Sequence, residues 1–514
     1  MSETEEAGTS RRSSLDISDG AMRELSAQVT ELVTDYFARV SELPVFPRTS
    51  GGKAIEGLAQ ELLIEGEPLQ KLLDECRVII RMSRHNGHPR FFGYVASPST
   101  PVGAFADLIA SAVNLNVTSW RSAPAATEME RMVVRWLGSL IGYNDDAQGL
   151  LTSGGSMANL TALLIAHRAK SQDDTARKGL WNSSAPMTIY ASDQIHMSIP
   201  KAADILGLGR EQVRIVECDN SFRMNMRALR ERIEGDLRDG LRPFCIVGSA
   251  GTVNTGAIDR LGEMAGIAQE FGLWFHVDGA YGVLGALDER KRPLFAGLDA
   301  ADSVSLDPHK WLYVPIDSGC LLLRKDAGAQ AAFRSADADY LKVLEHADEE
   351  TFAFWDHGVE LSRRFRALKI WLTLRYYGTR RIAEAITGDN SLAEYLARRV
   401  TEAEDFELLA PVELSICCFR YVPQEFQAKL RSRAAAELSQ IDSVLNQLNA
   451  QIMHAVQRGG QAYLSSATIG GKFALRACIT NFRTTRADID KTLEIVRETA
   501  RQIDGETAGS AGRS

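Results

Sequence analysis

The feature that most constrains this chain is an alternation, through its middle, of short apolar runs with longer stretches of helical spacing. MTIYAS (187–192), QVRIVEC (212–218), FCIVGSA (244–250), LWFHVD (273–278), DSVSL (302–306) and GCLLLR (319–324) read as strands. SMANLTALLIAHRAK (156–170) and LGEMAGIAQEF (261–271) read as helices. Strands joined through helices run parallel, and strands that are apolar at nearly every position are covered on both faces. The pattern predicts an α/β architecture: a mainly parallel central sheet flanked by helices.

The flanks differ. Up to about residue 85, and again after 365, apolar residues recur at helical spacing, and ELSICCFRYV and KFALRACIT add short strand-like runs near the end. The expected organisation is a disordered tail over 1–18, a helical N-terminal segment over 19–100 and a large domain over 101–380. A small α+β domain over 381–504 and a second disordered tail over 505–514 complete it. At ~150 residues per domain, 514 residues accommodate that division.

Charge and cysteine usage narrow the function. Lys and Arg number 58 against 67 Asp and Glu, a net charge of −9 that disfavours nucleic acid as a partner. No apolar run reaches the ~20 residues of a membrane span, and the polar start MSETEEAGTSRRSSLD lacks the apolar stretch of a secretory signal. The seven scattered cysteines form no CxxC pair. They fit reduced thiols in a cytoplasmic protein rather than a disulfide frame or a metal site. An enzyme is expected.

Ligands of open α/β sheets bind beyond the carboxyl ends of the strands. Thr152-Ser153-Gly154-Gly155-Ser156 precedes a helix, where glycine admits close approach and free N–H groups suit a phosphate; the plain alternative is a capping turn. Asp278 ends a strand, as a turn cap, a magnesium ligand or the partner of a buried cationic nitrogen. Gly279 and Ala280 after it leave room for a flat ring. Lys310, in Asp307-Pro308-His309-Lys310-Trp311, is either a surface charge or a partly desolvated nucleophile. His196 follows MTIYAS, as a structural hydrogen-bonder or as a ring that stacks. Together the four supply a phosphate cradle, a carboxylate, an imidazole and a lysine, the set that pyridoxal phosphate requires.

On these residues the chain resembles the group II pyridoxal-phosphate-dependent decarboxylases, over roughly 25–500. The resemblance runs through His88-Pro89-Arg90-Phe91-Phe92, Ser122-Ala123-Pro124-Ala125, the Ser-Gly-Gly-Ser loop and Ser192-Asp193-Gln194. It continues in order through His276-Val277-Asp278 with Ala280-Tyr281, Asp307-Pro308-His309-Lys310-Trp311, Arg363–Lys369 and Leu475-Arg476-Ala477-Cys478. It implies fold type I, pyridoxal 5'-phosphate as cofactor, no metal, and a homodimer with the pocket at the subunit interface.

By that resemblance Lys310 is the lysine that bonds the cofactor, Asp278 pairs with the pyridine nitrogen and His196 stacks on the ring. Gly155 and Ser156, with His309, hold the phosphate; Thr252 lies beside the cofactor and Ala280 packs under it. Tyr340 corresponds to a mobile-loop tyrosine that returns a proton after carbon dioxide leaves, and relatives with phenylalanine there release aldehydes. The substrate pocket is expected to hold Tyr94, Val95, Ser97, Asn116, Thr118, Trp120 and Ser362. Asn116 and Thr118 depart from the bulky apolar residues of aromatic-specific members, whereas Ser362 and the Ser-Ala-Pro-Ala segment are similar to the aromatic and histidine enzymes. The resulting expectation is decarboxylation of an aromatic L-amino acid (phenolic, indolic or imidazole). The alternatives are an acidic substrate (glutamate, aspartate or cysteine sulfinate), an aldehyde synthase or an aminotransferase. A hydrolase built on Ser156, Asp278 and His309 would leave Lys310 and His196 idle.

Overall fold

The computed structural model describes residues 15–47, 52, 62, 64–171, 174–182, 185–325, 327–333, 352–431 and 435–511. Its strands are β1 (Phe91–Phe92), β2 (Gln148–Thr152), β3 (Met187–Ser192), β4 (Val213–Val216), β5 (Arg242–Ser249) and β6 (Trp274–Asp278). They continue as β7 (Ser303–Leu306), β8 (Gly319–Leu323), β9 (Phe406–Leu408), β10 (Ile416–Tyr421), β11 (Tyr463–Ile469) and β12 (Lys472–Cys478).

The central sheet has the order β2-β8-β7-β6-β5-β3-β4. Pairs β3–β4, β3–β5, β5–β6 and β6–β7 are parallel, and β8 alone runs against its neighbours β2 and β7. All six strands expected from the sequence belong to it. The reason for their apolar runs is visible in the packing. Along β3, Ile189 and Ala191 enter one core while Tyr190 enters the other; along β6, Trp274 faces one and Phe275 and Val277 the other. Each such large side chain removed from water stabilises the fold by roughly 1.5–3 kcal/mol. A strand with a core on each face has no position for a polar residue except its ends.

Helices cover both faces and join the domains. Those used below are α1 (Asp19–Arg39), α2 (Leu69–Arg81), α3 (Pro101–Val113), α4 (Gly155–Lys170), α5 (Leu261–Phe271), α6 (Ala367–Glu402), α7 (Ala435–Gly459) and α8 (Arg486–Ala511). Ser18 caps α1 by accepting from Ala21 N–H at 3.2 Å, and Asp19 adds a favourable charge to its first turn.

The second sheet, β1-β11-β12-β10-β9, belongs to the small domain and is antiparallel except where β1 pairs with β11. Its core sets Phe92, Cys417, Phe419, Leu464 and Leu475 against Ile452, Val456, Leu493 and Val496. Two expectations change. The 19–100 segment is not wholly helical, because Phe91–Phe92 leaves it to extend the C-terminal sheet; two residues carry no readable period. The final helix continues to Ala511, past the tail expected from 505. The expected boundary at 381 falls inside α6, which is broken nearby at Gly378 (φ 73°, ψ 158°), a left-handed conformation that glycine adopts without a Cβ clash.

Candidate active site

Because six of the seven strands of the central sheet point the same way, their carboxyl ends deliver their loops to one edge. Thr152 leads into the start of α4, Ser192 into His196, Ser249 into Thr252, Asp278 into Ala280 and Leu306 into Lys310. There they line one cleft of about 780 Å³, whose wall includes Tyr94, Val95, Gly155, Ser156, His196, Thr252, Asp278, Ala280, His309 and Lys310.

Lys310 stands on a one-turn helix, Pro308–Trp311, whose Pro308 fits the first helical position. Trp311 anchors that turn: it is fully buried, stacks on Tyr281 with centroids 5.3 Å apart and donates from Nε1 to Asp389 Oδ2 at 2.9 Å. With the next residue pinned inward, Lys310 faces the cleft, its Nζ 2.9 Å from Asp307 Oδ2. His309 Nδ1 accepts from Ser318 N–H at 3.1 Å, which leaves its Nε2 as the donor, and burial holds its pKa below the usual histidine value.

Asp278 is 7% exposed and accepts three hydrogen bonds. Oδ1 takes Ala280 N–H and Ser305 Oγ–H, each at 3.2 Å, and Oδ2 takes Asn159 Nδ2 at 3.0 Å. His196 lines the cleft with Nδ1 turned away, 2.8 Å from Ser198 Oγ, and burial pushes its pKa down. Thr252 is engaged in its own turn, 2.9 Å from Thr255 Oγ1 and accepting from Ala257 N–H at 3.1 Å.

The start of α4 is built for close approach. A Cβ on Gly155 would lie 2.7 Å from that of Ala280 and 3.0 Å from Asp307 Oδ2. Met157 and Ala158 N–H bond to Gly154 O, which leaves the N–H groups of Gly155 and Ser156 for a ligand. The donor set fits pyridoxal phosphate on this geometry. Free helix N–H groups suit a phosphate, the small Ala280 leaves room for a flat ring, the Asp278 carboxylate suits a cationic ring nitrogen and the Lys310 amine suits an aldehyde.

Residues 52–422 match the pyridoxal-dependent decarboxylase conserved domain. The chain belongs to that family. An aromatic-L-amino-acid decarboxylase of Bacillus atrophaeus is 34% identical over 490 residues, 95% of this chain and 97% of the relative. A phenylacetaldehyde synthase of a Rosa hybrid cultivar is 29% identical, covering 94% of each chain. The crystal structure of Oryza sativa TDC with PLP and tryptamine superposes with a TM-score of 0.85 at 26% identity, over 96% of this chain and 99% of that one. This decarboxylase thus has fold type I, and its cofactor is pyridoxal 5'-phosphate.

Not every expected site residue of the decarboxylase reaches the cleft. Ser97 lies behind it, donating to His309 O at 3.1 Å. Asn116, Thr118, Trp120 and Ser362 are not part of its wall: Asn116 Oδ1 accepts from Arg363 N–H at 2.8 Å, Thr118 O accepts from Phe354 N–H at 2.9 Å and Trp120 N–H donates to Phe352 O at 2.9 Å. Tyr340 lies outside the described residues. Conversely, sequence reasoning passed over Asn159, Asp307, Tyr463 and Arg476, which line the cleft. Arg476 is 3% exposed, held by Tyr94 O at 2.8 Å, Asn254 O at 3.2 Å and Ser465 Oγ at 3.1 Å, with Nη2 unpaired. Among the described residues it has no carboxylate partner. Its only sequence signal was a place within a motif.

Proposed function

We propose that the chain converts an aromatic L-amino acid with a polar side chain to the amine and carbon dioxide. The observation that carries this reading is the convergence of Lys310, Asp278, His196 and the start of α4 on one cleft with mixed walls. Tyr94, Val95 and Tyr463 supply apolar and aromatic surface, and Gln457, Ser465 and Arg476 supply polar groups. A phenol, indole or imidazole matches both.

The cofactor, when bound, supplies an electron sink for the pair left as the Cα–carboxylate bond breaks. The chain's residues do the rest. Gly155 and Ser156 grip the phosphate, Asp278 holds a proton at the ring nitrogen, and His196 covers the ring. Lys310 would hold the cofactor through its side-chain amine. Tyr340, by resemblance, returns a proton to Cα, which favours amine over aldehyde. A second reading has its own support: the unpaired, buried guanidinium of Arg476 suits a side-chain carboxylate, as in an acidic substrate.

We further propose that the enzyme is a cytoplasmic homodimer. Phe105, Leu108, Ile109 and Val113 present an exposed apolar stripe along α3, and α1 buries none of its residues in its own chain. In such a pairing the exposed Asn116, three residues beyond α3, and the exposed Ser362 are the expected pocket residues available to a neighbour's cleft. All seven cysteines are free thiols, as a reducing compartment permits. No helix among the described residues is long and apolar enough to cross a membrane.

The test is incubation of cofactor-loaded protein with the common amino acids, dopa and cysteine sulfinate, following carbon dioxide, amine, aldehyde and peroxide. Amine from an aromatic substrate without peroxide is expected. Turnover of glutamate, aspartate or cysteine sulfinate alone refutes the aromatic reading, aldehyde with peroxide refutes the role of Tyr340, and a keto acid points to transamination.

A further inference from the structure

Behind the cleft a chain of buried polar side chains ends on Asp278, and its chemistry leaves one assignment of hydrogens. Ionised Asp278 only accepts, so the Nδ2 of Asn159 faces it at 3.0 Å and the Oδ1 of Asn159 faces the other way. That oxygen lies 3.0 Å from His276 Nε2, which must therefore carry a hydrogen. His276 is wholly buried and burial lowers its pKa to about 4, so the ring is neutral and Nδ1 is an acceptor. Its partner there is Ser303 Oγ at 2.8 Å, which in turn accepts from Trp274 Nε1 at 2.9 Å. Indole N–H can only donate, so it closes the chain.

A second branch leaves the same amide. Asn159 Nδ2 also meets Ser198 Oγ at 2.9 Å. Ser198 approaches His196 Nδ1 twice, by its hydroxyl at 2.8 Å and by its backbone N–H at 3.2 Å. A backbone N–H cannot accept, so Nδ1 of His196 is the acceptor and Nε2 carries the hydrogen.

We propose that Asn159 is the positioning residue of this site: its single amide fixes the carboxylate of Asp278, the donor nitrogen of His276 and the Ser198 hydroxyl that holds His196. Only a primary amide meets the three demands at once, two acceptors to be given N–H groups and one imidazole N–H to be received. Asn159 touches neither substrate nor cofactor in this role. It acts through the two groups that do, and that consequence rests on the cofactor reading above, whereas the hydrogen assignments do not.

The test separates the two. Ring 15N spectra of histidine-labelled, cofactor-free protein near neutral pH, assigned with His196→Gln and His276→Gln, report the protonated nitrogen directly. Both rings are expected as neutral Nε2–H forms in the wild type. In Asn159→Leu, which removes the acceptor facing Nε2, His276 redistributes toward Nδ1–H, whereas in Asn159→Asp, which keeps an oxygen there and loses the amide donors, it stays Nε2–H. After loading with pyridoxal phosphate, Asn159→Leu lowers the pH at which the bound chromophore loses its proton, and both variants lose activity. Their kcat falls on the order of 100-fold with KM little changed, the pattern of displaced catalytic groups. An Nδ1–H form of His276 in the wild type overturns the proposal, as do folded variants with unaltered ring spectra, chromophore titration and kcat. Protein that gives the expected ring spectra but never takes up pyridoxal phosphate supports the assignment and counts against the proposed function instead.

Discussion

Replacing Asp278 with Asn removes one charge at nearly constant volume, and the structure sets the size of two separable effects. The first is structural. Oδ1 receives Ala280 N–H and Ser305 Oγ–H, and Oδ2 receives Asn159 Nδ2. An amide at 278 has one oxygen for the two sides, so either its NH2 opposes Asn159 or it opposes Ala280, unless the whole buried chain reverses its donors. One buried donor left facing another costs about 1–3 kcal/mol. The second effect is chemical. A carboxylate next to a titrating cation shifts it by roughly 1–3 pH units, and each unit is worth about 1.4 kcal/mol. If the ring nitrogen's charge is needed in the transition state, kcat falls roughly 10- to 1,000-fold. The assays are urea unfolding for the first effect and single-turnover release of carbon dioxide from loaded protein for the second. A loaded, folded Asp278→Asn protein with wild-type kcat refutes the assignment of Asp278.

The remaining predictions address the cradle, a buried ion pair and a buried acid. Gly155→Ala displaces the start of α4, because its Cβ meets Ala280 and Asp307 rather than a flexible chain end. Losing one charge-assisted bond of about 1.5–3 kcal/mol weakens pyridoxal phosphate binding roughly 10- to 100-fold by fluorescence titration, and unchanged affinity would exclude the cradle. Arg363→Met strands Glu130, since both side chains are 1% exposed and paired. Unfolding free energy drops by about 3–5 kcal/mol, and adding Glu130→Gln recovers part of it. Asp389 is wholly buried, and burial raises its pKa to about 7 although Trp311 and Tyr313 donate to it. Its folded state holds the proton longer than the unfolded one, so its contribution is complete at acid pH and is lost as pH rises from about 4 to about 7. Stability of Asp389→Asn should therefore gain on the wild type across that window in urea titrations.

The sheet was legible because its physical requirement is local. A strand packed on both faces must be apolar at successive positions, and six such runs stand in the sequence without reference to anything distant. The same requirement exposes Asp278, since a charge closing an apolar run marks the end of a strand, and Lys310 follows the end of another such run at Leu306 by four residues. β11 was harder to see: YLSSATI places serines among apolar residues, and only its partner strands show that it is paired. Phe91–Phe92 was shorter than any period.

What the chain order determined, then, is the set of elements and which residues stand at their ends, because backbone propensity and burial act over a few neighbours. What tertiary structure alone decided is which of those ends meet and in what protonation state. Asn159 and Asp278 are 119 positions apart, and Glu130 and Arg363 are 233 apart. A polar residue in a helix gives no local sign of the partner it will have once water is excluded. The cost of leaving a buried donor or charge unpaired is what selects these distant pairs, and that cost exists only after the core has closed around them.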